Sequence, residues 1–304
     1  MPPLFKENDM NNQPSVKTLD QWASWLLHQR FATCTSEERA EAIAILEEIR
    51  DRIIYQAGIG GNEIVLDVGA GTGLLTWGAA RLITKPGFVI ASDVSKDSVT
   101  SCIVDRDKMG VEVAVDGLVC DARRLSVGDE TVDTIVLRSV LLYIKEKVDV
   151  FKEMYRVLRP SGVLSFFEPI NKGRHHNVDL NRLPIKVKEK VITIEQSTRN
   201  SRLNNVEWET TDFANALTVA GFTHIEFIEE LAVDPLKDIE AVRRYLERVP
   251  APGHPSIAEL YKRFLNPEEW AAYAKIWFDT LEQGPVEFRT PTLYGRARKP
   301  KYSE

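Results

Sequence analysis

The stretch VLDVGAGTG, residues 65–73, decides how the rest of the chain is read. Four residues of a buried strand run into a bend made of Gly69, Gly71 and Gly73. Each glycine lacks a Cβ, so the backbone can turn sharply and come close to a ligand. The helix that follows points free N–H groups into the same crevice. A dinucleotide site needs G-x-G-x-x-G; here Leu74 follows Gly73 and the run is G-x-G-x-G.

Downstream, strands and helices alternate. Strands are expected at 63–68, 87–93, 111–119, 132–138 and 162–168, with helices at 72–84, 95–109 and 146–158. The strands are short, β-branched and almost continuously apolar, as strands covered on both faces are. Such alternation implies right-handed crossovers and a doubly wound, mostly parallel α/β sheet. A helix at 211–220 and a strand at 222–230 resume the pattern, and a polar last strand at 287–299 reads as an edge or an antiparallel partner.

The flanking segments give the organisation. Residues 1–17 read as a disordered tail and 18–58 as N-terminal helices forming a lid. In the lid, Asp20 caps a helix over 20–31, and Thr35 with Glu38 forms a capping box for a helix ending at Gly58. The core is expected at 59–170, 205–232 and 285–299, with cap or substrate insertions at 171–204 and 233–284. In the second insertion, Pro250, Pro252 and Pro255 form a linker before a helix capped by Asn266 with Pro267 at its first position.

Two acids sharpen the reading of the crevice. Asp93 ends the second strand, where a carboxylate can accept both hydroxyl protons of a ribose or cap the next helix. Asp121, in CDARRL, is placed to accept from an exocyclic amine or to act as a cap. With Asp67 and the glycines they describe a seat for an adenosine-bearing ligand that has no pyrophosphate.

On VLDVGAGTG, VIASD (89–93), CDARRL (120–125) and RVLRPSGVLSFFE (156–168), the chain resembles the class I S-adenosylmethionine-dependent methyltransferases, and more loosely the bacterial small-molecule enzymes of secondary metabolism. The resemblance implies a Rossmann-like sheet of order 3-2-1-4-5-7-6 and S-adenosyl-L-methionine as cofactor. It implies that Gly69, Ala70, Gly71 and Gly73 line the methionine moiety and that Asp67 holds its ammonium. Asp93 and Val94 would then meet the ribose, Asp121 and Ala122 the adenine, and Arg138 the methyl-bearing end. Ser161 stands where the turn before the fifth strand usually has glycine.

Methyl transfer from a sulfonium is an in-line displacement that needs alignment and, for some acceptors, a base. Candidate catalytic residues are Glu168 at the end of the fifth strand, Tyr143 and His175. Candidate substrate contacts are Trp22, Trp25, His28, Ser139, Tyr143 and His176. Each has a structural alternative: core packing for Tyr143, a cap for Glu168, solvation for the histidines. The stripe Trp270, Tyr273, Trp277 and Leu281 is core, subunit interface or pocket wall. The segment 171–202 carries eight Lys and Arg against three acids, either as a solvated face or as a lid that recognises an anion.

Composition narrows the classes. The chain has 304 residues, 39 basic against 45 acidic, and a net charge of −6. That balance and the missing NPPY-type motif argue against DNA as substrate, and leave RNA as a rival carried by the basic segment alone. A non-catalytic S-adenosylmethionine-binding protein and a nicotinamide dehydrogenase are further rivals. Three scattered cysteines give no bridge framework, and no metal site is expected. No run of 18 apolar residues and no secretory signal is seen, so no membrane span and a cytoplasmic location are expected. The reading is C- or O-methylation of a small hydrophobic or aromatic metabolite, with homo-oligomerisation through the helical insertions open.

Overall fold

The computed structural model describes residues 19–104, 106–199 and 208–301. The tail 1–17 and Arg202 lie outside the described residues, as do the rest of 200–207 and residues 18, 105 and 302–304. The chain runs α1 (Gln21–Ser24), α2 (Ser36–Ala57), β1 (Ile64–Val68), α3 (Leu74–Ala80), β2 (Phe88–Asp93), α4 (Lys96–Ile103), β3 (Ala114–Val119) and β4 (Val132–Arg138). It continues through α5 (Lys147–Val157), β5 (Leu158–Pro169), β6 (His175–His176), α6 (Ile185–Arg199), α7 (Thr210–Ala220) and β7 (Thr223–Leu236). It ends with α8 (Ile239–Glu247), α9 (Ile257–Lys262), α10 (Pro267–Leu281) and β8 (Val286–Arg298).

The strands form one sheet in the order β3-β2-β1-β4-β5-β8, with β7 and the two-residue β6 both paired to β8. The first five strands are parallel and β8 runs antiparallel to β5 and β7. Leaving aside β6, this is the expected order. The last strand is not an edge: β8 lies between β5 and β7, and polar Arg296 reaches the Gln56 carbonyl at 2.8 Å. The antiparallel alternative is the one observed.

Alternate residues of each inner strand feed opposite faces, as a period of two requires. Leu66 and Val68 pack with α5 and α7, whereas Val65, Val89 and Ala91 pack with α2 and α3. A third apolar cluster joins Val187 and Val191 of α6 to Val242, Tyr261, Trp277 and Phe288. The two insertions therefore share one core beside the carboxyl ends of the sheet.

The N-terminal helix differs from its sequence reading. Asp20 does cap α1, accepting from Trp22 and Ala23 N–H at 3.0 Å, but Trp25–Gln29 form a π turn. Arg30 N–H donates to the Trp25 carbonyl at 2.8 Å, five residues back. Helices α3 and α4 are also shorter than expected, because Thr72 and Gly73 stay in the bend and a short 3-10 turn, Arg106–Met109, follows α4.

Ser161 sits at φ 71°, in the left-handed region, and is exposed. A side chain there costs about 1–2 kcal/mol, part of which glycine returns as unfolded-state entropy. Ser161→Gly is expected to stabilise the fold by about 0.5–1 kcal/mol in urea denaturation; a loss of stability would contradict the strain.

Candidate functional site

The ends of β1, β2, β3 and β4 open into one cavity of about 1170 Å³, roofed by the N-terminal helices and the insertion cluster. Its floor is the glycine bend. Gly69 and Gly73 have φ of 69° and 93°, and a Cβ on Gly69 would stand 2.3 Å from Val140. Both conformation and packing therefore require glycine there.

Three carboxylates meet this end of the cavity. Asp67 is 1% exposed and its partner is the Thr76 hydroxyl, donating at 2.6 Å. Burial pushes its carboxyl up to about 7, against the Thr76 hydrogen bond. Asp93 accepts from Gly71 N–H and Ser95 N–H, both at 2.9 Å, so it ties the bend to the start of α4; burial raises its carboxyl as well. Asp121 accepts from the Arg123 guanidinium through both oxygens, at 2.6 Å for the shortest contact, which holds its carboxyl low. Ala70, Val94 and Ala122 line the wall between them. Acceptors spaced over three strand ends around a narrow bend suit a cationic ligand with a diol, and S-adenosylmethionine fits that set of acceptors. Arg123 competes for Asp121, so an adenine amine there must share the carboxylate.

Beyond β4 the cavity is lined by Arg138, Ser139 and Tyr143. Ser139 takes φ 55°, and Tyr143 meets Trp22 edge-on with centroids 4.8 Å apart. Burial raises the Tyr143 phenol, which makes it a reluctant base. Trp25 lines the roof and its indole N–H donates to the Val249 carbonyl at 3.0 Å, joining the lid to the second insertion.

The histidines separate. Nδ1 of His175 lies 3.0 Å from the Gly173 carbonyl, so it carries the proton and leaves Nε2 as an acceptor beside the cavity. His176 has the opposite tautomer: Val178 N–H donates to its Nδ1, and its Nε2 donates to Glu195 at 3.3 Å. His28 is exposed and does not line the cavity. The π turn is the reason: it sets Arg30 over the Trp25 ring at 5.8 Å, where regular helical spacing would have favoured His28.

Glu168 requires a correction. It is 1% exposed, does not line the main cavity, and its oxygens accept from Val140, Leu141 and Leu142 N–H at 2.7, 2.9 and 3.3 Å. Its carboxylate is spent on holding the loop after β4, not on a substrate proton. Burial pushes its carboxyl up to about 7 while the three amides pull the other way.

Sequence reasoning missed Arg30, Arg248, Tyr245 and Phe288, all of which line the cavity. From the predicted stripe, Tyr273 and Trp277 are buried and line the cavity, whereas Trp270 and Leu281 pack against the insertion core. The basic segment is partly neutralised: Lys172 pairs with Glu209, Arg182 with Asp279 and Lys190 with Glu269. Among the described residues no His, Cys, Asp and Glu group could hold a metal, and no helix is long and apolar enough to cross a membrane.

Residues 66–166 match the model of the methyltransferase domain family. The chain is similar to the ubiquinone/menaquinone biosynthesis C-methyltransferase UbiE of Cronobacter sakazakii, at 33% identity over 48% of this chain and 69% of that protein. It is 33% identical to the same enzyme of Hydrogenovibrio crunogenus, over 38% of this chain and 45% of the relative. The chain thus spans about half to two thirds of the length of the curated relatives it matches. Among solved structures, the YcgJ protein of Bacillus subtilis superposes with a TM-score of 0.55 at 18% identity, covering 84% of this chain and 99% of that one.

Replacing Glu168 by Gln turns an acceptor into a donor facing backbone N–H groups. Glu168→Gln is expected to cost about 1–3 kcal/mol of stability in denaturant titration. A neutral result would show that the loop does not depend on this carboxylate.

Proposed function

Since the chain belongs to the class I S-adenosylmethionine-dependent methyltransferases, we propose that it methylates a small aromatic or hydrophobic metabolite at carbon or oxygen. The observation that carries this reading is the single cavity shared by the Gly69–Gly73 bend, Asp67, Asp93 and a wall of aromatic side chains. Carbon methylation is supported by the Cronobacter relative, which is a C-methyltransferase. A single deep, aromatic-walled cavity suits a small acceptor better than a polymer, and the ion pairs of Lys172, Arg182 and Lys190 weaken the feature that favoured RNA.

When bound, the cofactor supplies a methyl group made electrophilic by its sulfonium. In this reading Asp67 holds the ammonium and Asp93 the ribose hydroxyls. The bend lets the backbone close on the thioether, and Ala122 with Asp121 borders the base. Trp22, Trp25 and Tyr143 confine the acceptor and keep water out, so most of the rate comes from alignment. With Glu168 committed to the loop, the acceptor's proton goes to Nε2 of His175.

Calorimetric titration with S-adenosylhomocysteine tests the reading first: no binding at millimolar concentration would end it. The Asp67 carboxyl, near 7 in the fold, must be ionised to hold an ammonium. Affinity is therefore expected to fall by roughly tenfold per pH unit below about 7 and to lose this dependence in Asp67→Asn. With an acceptor in hand, His175→Ala should lower kcat by about 10²–10⁴-fold and leave cofactor affinity intact; unchanged turnover would remove His175 from the chemistry.

A further inference from the structure

The cavity is charged oppositely at its two ends. Asp67, Asp93 and Asp121 sit at the bend, whereas Arg30, Arg138 and Arg248 gather around Tyr143. They come from three distant parts of the chain: the turn after the lid helix, the end of β4 and the end of α8. The Trp25 indole bonded to the Val249 carbonyl draws Arg30 and Arg248 together.

None of the three has a carboxylate ion-pair partner among the described residues, although this chain pairs most of its surface arginines. Arg138 has only a contact with the Ser139 hydroxyl at 3.3 Å, with Glu168 and Asp67 further off in its field. Arg30 is stacked against Phe31 at 5.0 Å and Trp25 at 5.8 Å, which fixes its guanidinium without neutralising it. Burial, then repulsion from Arg138 and Arg248, pushes Arg30 down to about 9, a measure of how crowded the positive charge is. Gathering cations in a half-buried site is unfavourable unless an anion joins them.

The cofactor does not supply that relief. S-adenosylmethionine brings one carboxylate but also an ammonium and a sulfonium, so its arrival adds positive charge. We propose that the acceptor carries an anionic oxygen group, a carboxylate in the simplest case, that docks between Arg30, Arg248 and Arg138 and leaves its apolar body against the aromatic wall. The proposal rests on the methyltransferase reading and names the class of its substrate: an aromatic or hydrophobic acid. Planar guanidinium groups suit such a group because they grip two oxygens at once.

Benzoate and its neutral counterpart benzamide, both small against the cavity, test this by titration into the full chain saturated with S-adenosylhomocysteine. Benzoate is expected to bind at least tenfold tighter than benzamide. The preference should fall below twofold in Arg30→Gln and in Arg248→Gln, with cofactor-product affinity changed less than threefold. Equal binding, no binding by either, or a preference that survives both substitutions overturns the proposal. So does a tenfold loss of S-adenosylhomocysteine affinity with benzoate binding intact, which would assign the arginines to the cofactor's own carboxylate. If S-adenosylhomocysteine does not bind at all, the methyltransferase reading fails, and the same two titrations on the unloaded chain still decide whether the arginines take an anion.

Discussion

A parallel sheet covered on both faces leaves irregular backbone no place except the strand ends, and in this chain everything with chemical character collects at one of those ends. Inner residues such as Val65, Leu66, Val136 and Leu164 are fully buried, so polar groups there would be stranded without partners. At the carboxyl ends the constraint lifts. Gly69 can turn, Asp93 can reach the Gly71 amide, and the loop after β4 can open toward the lid.

The roof over this edge is assembled from pieces far apart in sequence. Ser95 at the start of α4 donates to Asp20 at 2.7 Å, and Asp20 N–H donates to Asp97 at 2.8 Å, which docks the lid helix beside the expected ribose site. Arg244 of α8 pairs with Glu38 at the start of α2, and the Trp25–Val249 contact completes the link. These contacts make lid, core and second insertion one enclosure. They also set its polarity: acids come with the ends of β1 to β3, and Arg30 and Arg248 of the roof join Arg138 at the end of β4.

How much of this could be read in the chain depends on how local each cause is. The G-x-G-x-G bend and Asp93 are legible because their roles follow from strand ends a few residues away. The order of the sheet was open only through family resemblance, and the polar pattern of β8 left an edge and an antiparallel place open together, because its polar residues find partners, such as the Gln56 carbonyl, that no local pattern shows. Arg30 and Arg248 left no trace: one looks like any basic residue ending a helix, the other like a dipole complement before a proline linker. Their meeting depends on a π turn and on a contact 224 residues apart in sequence. For His28 the solvated alternative is the one observed, since the resemblance placed its helix at the lid but not the face that the residue takes.

Glu168 shows why position alone misleads. An acid at the carboxyl end of an inner strand looks the same whether it serves chemistry or backbone. The loop after β4 decides between them, because Ser139 adopts φ 55° and the next three amides open a short 3-10 turn, Leu141–Tyr143, with no carbonyl of their own behind them. The left-handed serine costs about 1–2 kcal/mol. Each hydrogen bond to a charged acceptor returns about 1.5–3 kcal/mol, so three of them outweigh the strain and much of the cost of burying the acid. The same loop sets Arg138 and Tyr143 at the cavity wall, so a residue that never touches the cavity fixes the shape of its positive end.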